Sequence, residues 1–362
     1  MDVFMLLMLV FSGIGLVDKM TGYKMGLAQE FDKGLYSMGT LALCIVGFYC
    51  VGITAARQCA ENIARLTSGL PMDPSIIIGC MLSSDAGAQP IAMELSNSPV
   101  MGYFSGVIVA SCLGQFVSSQ LPVLFAAIHE REKSFMVPGF IQGISAVPIG
   151  LMVGGILLQL PARSLLSNSG PIITLCVLLA VAFHKASAVT EKTLLAFGGV
   201  MRTGGQFLFL VTIVGLFFPR WNIVENNLLH ESLVLLLKMV VIICGAMVFA
   251  KACLRHFTAQ LEWVARKLHT NETSVIGLAL SCINSLAIVP LLPDMDKNSL
   301  RINAAFAVSG SYILGGQMAV IANLNNGKVF TAYFLSKLAA GIVAVGIAVA
   351  LNRRAETNIC KP

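Results

Sequence analysis

The chain alternates long apolar runs with short polar connectors, and nine of these runs read as membrane-crossing helices. They cover residues 3–17, 36–56, 100–128, 137–160, 171–184, 194–218, 233–250, 302–322 and 329–350. A helix needs roughly 20 mostly apolar residues to cross a bilayer, so the first and fifth runs are short for the task. Two further apolar stretches are interrupted. Residues 74–95 read PSIIIGCMLSSDAGAQPIAMEL, an apolar segment broken by Ser83, Ser84, Asp85, Gly87, Gln89 and Pro90. An ionised Asp near the bilayer centre costs at least about 2.5–3.5 kcal/mol, so it persists only where it faces a cavity, a partner or a substrate. The stretch therefore reads as half of a transport site. Residues 273–293 are apolar and broken in the same way.

The connectors fit this picture. Residues 18–35 mix Lys19, Lys24, Glu30, Asp32 and Lys33 with apolar positions, which suits a segment on the membrane surface, and 255–269 has the same character. Asp2 precedes the first run where a secretory signal would be basic, so that run is expected to be a membrane helix and not a removable signal. The span at 100–128 carries Gly106, Gly114, Gln115, Ser118, Ser119 and Gln120, a density that favours close helix packing or a wet lining over lipid. Gly150, Gly154 and Gly155 read as packing positions.

Composition strengthens the membrane reading. Of 362 residues, 56% are hydrophobic and 12% charged, and the mean hydropathy is +0.82; soluble domains carry about 25% charged residues. The net charge of +6 is spread over connectors without a dense basic block, so no nucleic-acid partner is expected and membrane topology explains the basic residues better. The ten cysteines lie mostly inside apolar runs, never as CxxC, and read as small core residues. Asn271-Glu272-Thr273 matches a glycosylation sequon by chance.

A weak internal repeat pairs the two interrupted stretches. Residues 63–85 align with 264–284 with gaps that net to two: Ala64-Arg65 meets Ala265-Arg266, Ile78-Gly79 meets Ile276-Gly277, and Asp85 meets Asn284. Leu113-Gly114-Gln115 has an echo in Leu314-Gly315-Gly316-Gln317. Such symmetry with matched interrupted segments is the signature of inverted-repeat transporters.

Charge placement tests the topology. If 74–95 and 273–293 are re-entrant hairpins and the N-terminus is outside, inner loops hold 16 Lys and Arg residues against five outside, namely Arg57, Arg65, Arg163, Arg220 and Lys328. Full crossings give 10 against 11, with no bias. The positive-inside rule favours the hairpins. The expected fold is thus an all-α integral membrane protein, a polytopic helical transporter of two inverted repeats. Residues 1–170 form the first repeat, 171–192 a linking span and 193–362 the second. The hairpins would enter from opposite sides and bring Asp85 toward Asn284 near the midplane, with the C-terminus cytoplasmic.

The chemistry available there is an anionic acceptor, Asp85, among neutral groups from Ser83, Ser84, Gln89, Gln115, Asn284, Ser285 and Gln317. A small organic ammonium with a hydroxyl fits that set. The competing readings are that Asp85 caps a broken helix or pairs with Lys238, Lys337 or Arg202, the basic residues inside spans. Glu94, near the hairpin end, reads as a secondary candidate or as facing interfacial water. No GxSxG, HExxH, Walker A or dinucleotide fingerprint occurs, the five histidines lie at loops or span edges, and Asp85 has no second intramembrane Asp to form a dyad. An enzyme, a cofactor and a metal site are therefore not expected.

Four stretches resemble the ethanolamine utilisation permease family: FDKGLYSMGTLAL at 31–43, PSIIIGCMLSSDAGAQPIAMELS at 74–96, VPIGLMVGG at 147–155 and RINAAFAVSGSYILGG at 301–316. They occur in the family's order, and the resemblance extends over nearly the whole chain. It implies a multi-pass protein of the bacterial cytoplasmic (inner) membrane that moves ethanolamine inward for breakdown. By position, the family's hairpin aspartate matches Asp85, the following acid Glu94 and the lysine of the last span Lys337. After Leu314 the family has a Gly-Asp-His run where this chain has Gly315-Gly316-Gln317, which removes an acid and a histidine from any proton path there. The expected partners are ethanolamine and the lipid bilayer, with a homo-oligomer allowed. The rival expectations are a Na⁺- or H⁺-coupled transporter of another small polar solute and a non-transporting membrane scaffold or sensor.

Overall fold

The computed structural model describes residues 3–36, 38–58, 62, 72–225, 227–314 and 316–359, and every element among them is helical. Most of the connector expected at 57–70, with Arg65, lies outside the described residues, as do Gly315 and the side chain of Arg202. The chain opens with α1 (Val3–Met20), the surface helix α2 (Ala28–Tyr36) and α3 (Met38–Gly47), which runs through a π-helical turn at Phe48–Gly52 into α4 (Ile53–Gln58). Five helices are long and apolar enough to cross a membrane, or six if the bent helix starting at Pro99 is one span. Several apolar helices of this length are what a multi-pass membrane protein requires.

The stretch at 74–95 folds as α5 (Ser75–Met81), an extended break at Leu82 and Ser83, a 3-10 turn at Ser84–Ala86 and α6 (Ala88–Leu95). Gly87 closes the break with φ 88, a left-handed conformation that costs a side-chain-bearing residue energy. The two arms pack against each other, so the segment doubles back. At its open end, Asp73 ties the arms together: its carboxylate accepts from Ser75 N and Ser75 Oγ, and from Asn97 N and Nδ2.

The next helix starts at Ser98, which caps α7 (Pro99–Tyr103) by accepting from Met101 N. It continues as wide π-helical turns over Phe104–Gly114 and Phe116–Gln120 into α8 (Leu121–Ala127) and bends by 42° at Gln115. Such wide turns recur at functional sites. Gly114 meets the break of the hairpin so closely that an added Cβ would lie 2.2 Å from Leu82 O.

α9 (Glu130–Ile144) and α10 (Val147–Leu157) form the next span, interrupted at Ser145 and Ala146. Gly154 packs on Ile108 and Ser336, as the packing reading expects. α11 (Ala162–Lys185) and α12 (Ser187–Phe217) expose Leu178, Val200 and Phe207, the side chains that acyl chains would cover. α13 (Leu228–His256) is followed by the amphipathic α14 (Thr258–Leu268).

The second broken stretch comprises α15 (Glu272–Ser281), a break at 282–284 and a 3-10 helix over Ser285–Asp294 that packs back on α15. Pro290 and Pro293 lie inside that second arm, where their missing N–H groups work against a regular α-helix.

The expected single span at 302–322 is not continuous. α16 (Lys297–Ser309) ends in a turn over 310–314, and the chain resumes as α17 (Gly316–Ala322). Here Tyr312 is left-handed, φ 61, and the main-chain N–H groups of Tyr312 and Leu314 leave the helix to bond Ser281 O and Cys282 O at 2.9 and 2.8 Å. The broken hairpin needs donors for its own orphan carbonyls, and this span supplies them by breaking too. α18 (Gly327–Ile359) closes the chain against α10 and α16.

Candidate functional site

The two interrupted segments and the two irregular spans converge on one buried polar cluster. Asp85 lies half-buried in the 3-10 turn between α5 and α6, and α17 packs on that turn. Ser83 Oγ contacts Asp85 Oδ1 and lies 2.6 Å from Gln115 Oε1. Gln115, at the bend after Gly114, gives its Nε2 to Ser119 Oγ at 3.0 Å. Gln317, at the start of α17, points its Nε2 at Gln115 Oε1 (2.6 Å) and Ser83 Oγ (3.3 Å). Its Oε1 accepts from Lys337 Nζ at 3.2 Å, and the same ammonium donates to Ser111 O at 2.7 Å. Lys337, from α18, is fully buried.

Counting protons shows what this arrangement lacks. The Ser83 hydroxyl has one proton and faces two acceptors, the Asp85 carboxylate and the Gln115 carbonyl. One of these contacts needs a proton from another source. Among the described residues no ion pair joins Asp85 to Lys337 or to any other cation. A half-buried carboxylate that no ion pair neutralises, with the one nearby ammonium, Lys337, held on other acceptors, can receive a compact cationic donor.

The second break carries its own polar group. Asn284 Oδ1 caps the following 3-10 helix by accepting from Leu286 N and also accepts from Tyr312 Oη, both at 2.9 Å. No described hydrogen bond joins Asp85 directly to Asn284; Tyr312, with Ser285 and Gln115 beside its phenol, comes between the two breaks. Tyr333 Oη holds the turn by donating to Tyr312 O at 2.7 Å. Ser84 is buried with a hydroxyl oxygen that finds no partner among the described groups, and the buried Ser285 hydroxyl has the Tyr312 phenol beside it but no well-aligned hydrogen bond. Such unsatisfied hydroxyls are costly in an apolar interior unless a ligand or water completes them.

The structure therefore gathers Asp85, Ser83, Gln115 and Gln317 into one hydrogen-bonded network, with Lys337 at its far end, and places Asn284 and Ser285 around Tyr312. Gln89 is half-buried on α6 with no described bond to the network. Glu94 is exposed at the end of α6, and Lys238 is exposed on α13, with no described bond to the cluster. Sequence reasoning missed Tyr312 and Ser111. An aromatic residue in an apolar run looks like core, and nothing in a sequence marks the main-chain carbonyl of Ser111 as an acceptor. It read Gln120 only as one of the polar residues favouring close packing or a wet lining; its Nε2 donates to Ser311 Oγ at 2.6 Å and links the same two spans.

With this geometry in view, the family can be stated. The family model described as ethanolamine utilisation protein, EutH, matches residues 1–351. The chain belongs to this family. Among its relatives, a protein of Listeria monocytogenes named probable ethanolamine permease EutH is 26% identical over 99% of this chain and 96% of its own length. Proteins of the same name from Salmonella typhimurium and Escherichia coli are 24% and 23% identical over 90% and 93% of this chain, covering 86% and 88% of theirs. No solved structure matches the chain.

Proposed function

We propose that this chain is a permease that moves ethanolamine, in its ammonium form, across the bacterial cytoplasmic membrane by facilitated diffusion or secondary transport. The observation that carries the proposal is the half-buried carboxylate of Asp85, set at a helix break with one shared hydroxyl proton and, among the described residues, no ion pair to a cation. An ammonium group brings three donors and a positive charge to that point. The substrate hydroxyl then has Ser84, Asn284 and Ser285 as partners, two of which have hydroxyl oxygens without a well-aligned hydrogen bond among the described groups. Ser83, Gln115 and Gln89 complete the polar lining. The names of the relatives agree with this reading.

The same proposal includes two inverted repeats with re-entrant hairpins. Several pairings support it. α1 packs on α13 as α12 packs on α3. Gly79 packs on Ser105 as Gly277 packs on Asn303. Ser105 Oγ bonds Ser75 Oγ at 2.8 Å, and Asn303 Nδ2 bonds Ser274 Oγ at 2.7 Å, fastening the first arm of each hairpin to the span that follows it. Under this topology the C-terminus is cytoplasmic.

The test is uptake of labelled ethanolamine into liposomes containing the purified protein. Saturable uptake, competed by unlabelled ethanolamine but not by ethylene glycol, is expected. Uptake indistinguishable from that of empty liposomes would overturn the reading. Imposing a pH or Na⁺ gradient on the same vesicles separates facilitated diffusion from coupled transport.

A further inference from the structure

Lys337 poses a problem that the proposed function does not solve. Its ammonium is fully buried, in the same cluster as Asp85, and it carries the same charged group as the substrate. A lysine stem has four rotatable carbons, and in an apolar interior the attraction between opposite charges is strong. Left to itself, Lys337 would close on Asp85 and occupy the carboxylate as an internal competitor. The observed bonds run otherwise: Lys337 Nζ goes to Ser111 O at 2.7 Å and to Gln317 Oε1 at 3.2 Å.

The orientation of Gln317 decides this outcome. Its Nε2 is committed to Gln115 Oε1 and Ser83 Oγ, both of which accept, and lies on the side of the Asp85 carboxylate. The amide oxygen is thereby turned to the other side, where the ammonium is. Gln115 is held in turn by the bond from its own Nε2 to Ser119 Oγ. A glutamine is suited to this place because one planar group presents two donors on one edge and an acceptor on the other. An acid would repel the Gln115 oxygen, and an apolar residue would leave the ammonium without its second acceptor.

We propose that Gln317 is a positioning residue that anchors Lys337 away from Asp85, so that the carboxylate stays open to the substrate ammonium. The inference rests on the reading of Asp85 as the ammonium site. It makes Lys337 a fixed positive charge beside the path and assigns Gln317 an action through Lys337, distinct from contact with substrate.

The test is equilibrium binding of labelled ethanolamine to the purified protein in nanodiscs, for the wild type, Gln317→Met, and Gln317→Met with Lys337→Met. Met keeps the length of Gln and removes both its donors and its acceptor. The single variant is expected to raise the Kd at least tenfold, because the released lysine competes for Asp85. The double variant is expected to return to within about threefold of the wild type, although it has lost two polar side chains. A residue that acts only through structure or direct substrate contact would not be rescued by removing a second group. A double variant as weak as the single, or a single variant that binds like the wild type, overturns the proposal. If Gln317→Met does not purify as a folded protein, Gln317→Asn, one methylene shorter, takes its place with the same expected dependence on Lys337. Absence of binding by the wild type would instead overturn the reading of Asp85 itself.

Discussion

The Gln317 amide donates to Gln115 Oε1 at 2.6 Å across 202 residues of sequence, joining the bent helix after Pro99 to the short helix α17. Each glutamine follows a glycine at a point where its own span loses regularity. Both are buried, so the loss of either side chain leaves polar atoms of the other short of a partner. Replacing either with Leu should cost about 1–3 kcal/mol of stability by leaving a buried polar group unpaired. The double replacement should cost less than the sum of the two, by roughly 0.5–3 kcal/mol. Thermal unfolding of the four proteins in detergent checks this; additive losses would show that the bond is not formed.

Asp73 is the fastening of the first hairpin. Its carboxylate takes four contacts from Ser75 and Asn97, and Asn168 Oδ1 accepts from its main-chain N–H. Bonds to an ionised group are worth about 1.5–3 kcal/mol each, so Asp73→Ala should destabilise the protein by about 3 kcal/mol. The affinity of the surviving folded protein should change little, because Asp73 is at the open end and not at the break. Parallel measurements of melting temperature and ethanolamine Kd separate the two effects.

Tyr312 combines a left-handed backbone with a phenol on Asn284. A non-glycine residue held there stores strain that the surrounding bonds must outweigh. Tyr312→Phe keeps the ring and should lose about 1 kcal/mol, the net worth of one hydrogen bond. It should also leave Asn284 Oδ1 with Leu286 N as its remaining donor, opening one acceptor position, and thereby alter KM more than the maximal rate. Uptake kinetics at graded ethanolamine concentrations would reveal an unchanged KM if Tyr312 were only a packing residue.

The surface helix α2 has its own pH dependence. The bond from Lys19 holds the Asp32 carboxyl below its ordinary value, against the opposing effect of burial and with help from the Tyr23 hydroxyl. A carboxyl lowered on folding contributes stability that is present above its unfolded value, about 3.9, and is lost as the pH falls through the folded value. Asp32→Asn should therefore lower the melting temperature at pH 7, and the difference from wild type should shrink steadily as the pH falls below about 3.9. A difference that stayed constant as the pH was lowered through this range would contradict the ion-pair account.

Much of this arrangement could be read from the sequence, and the exceptions share a physical cause. Residues 74–95 and 273–293 announced their breaks because polar residues, Gly and Pro interrupt apolar runs. The echo of Leu113-Gly114-Gln115 in the segment ending at Gln317 picked out two residues that the structure bonds together. The break at 310–314 was invisible, because FAVSGSYILGG is small and apolar enough to continue a helix, and only the unmet carbonyls of Ser281 and Cys282 draw it out of one. Lys238 and Lys337 look alike in sequence, each a lone cation in an apolar run. Their helix faces differ: one is exposed on α13, the other fully buried beside Gln317. When both faces of a helix are apolar, periodicity cannot assign the inner one.

The central claim is that the Asp85 carboxylate receives the ammonium of ethanolamine, and binding to Asp85→Asn tests it most directly. Asn keeps the size and the Ser83 contact but removes the charge. Equilibrium binding in nanodiscs, with folding verified by the melting temperature, should show the wild type saturating and Asp85→Asn weakened at least tenfold. A folded Asp85→Asn protein that binds ethanolamine as tightly as the wild type would contradict the account.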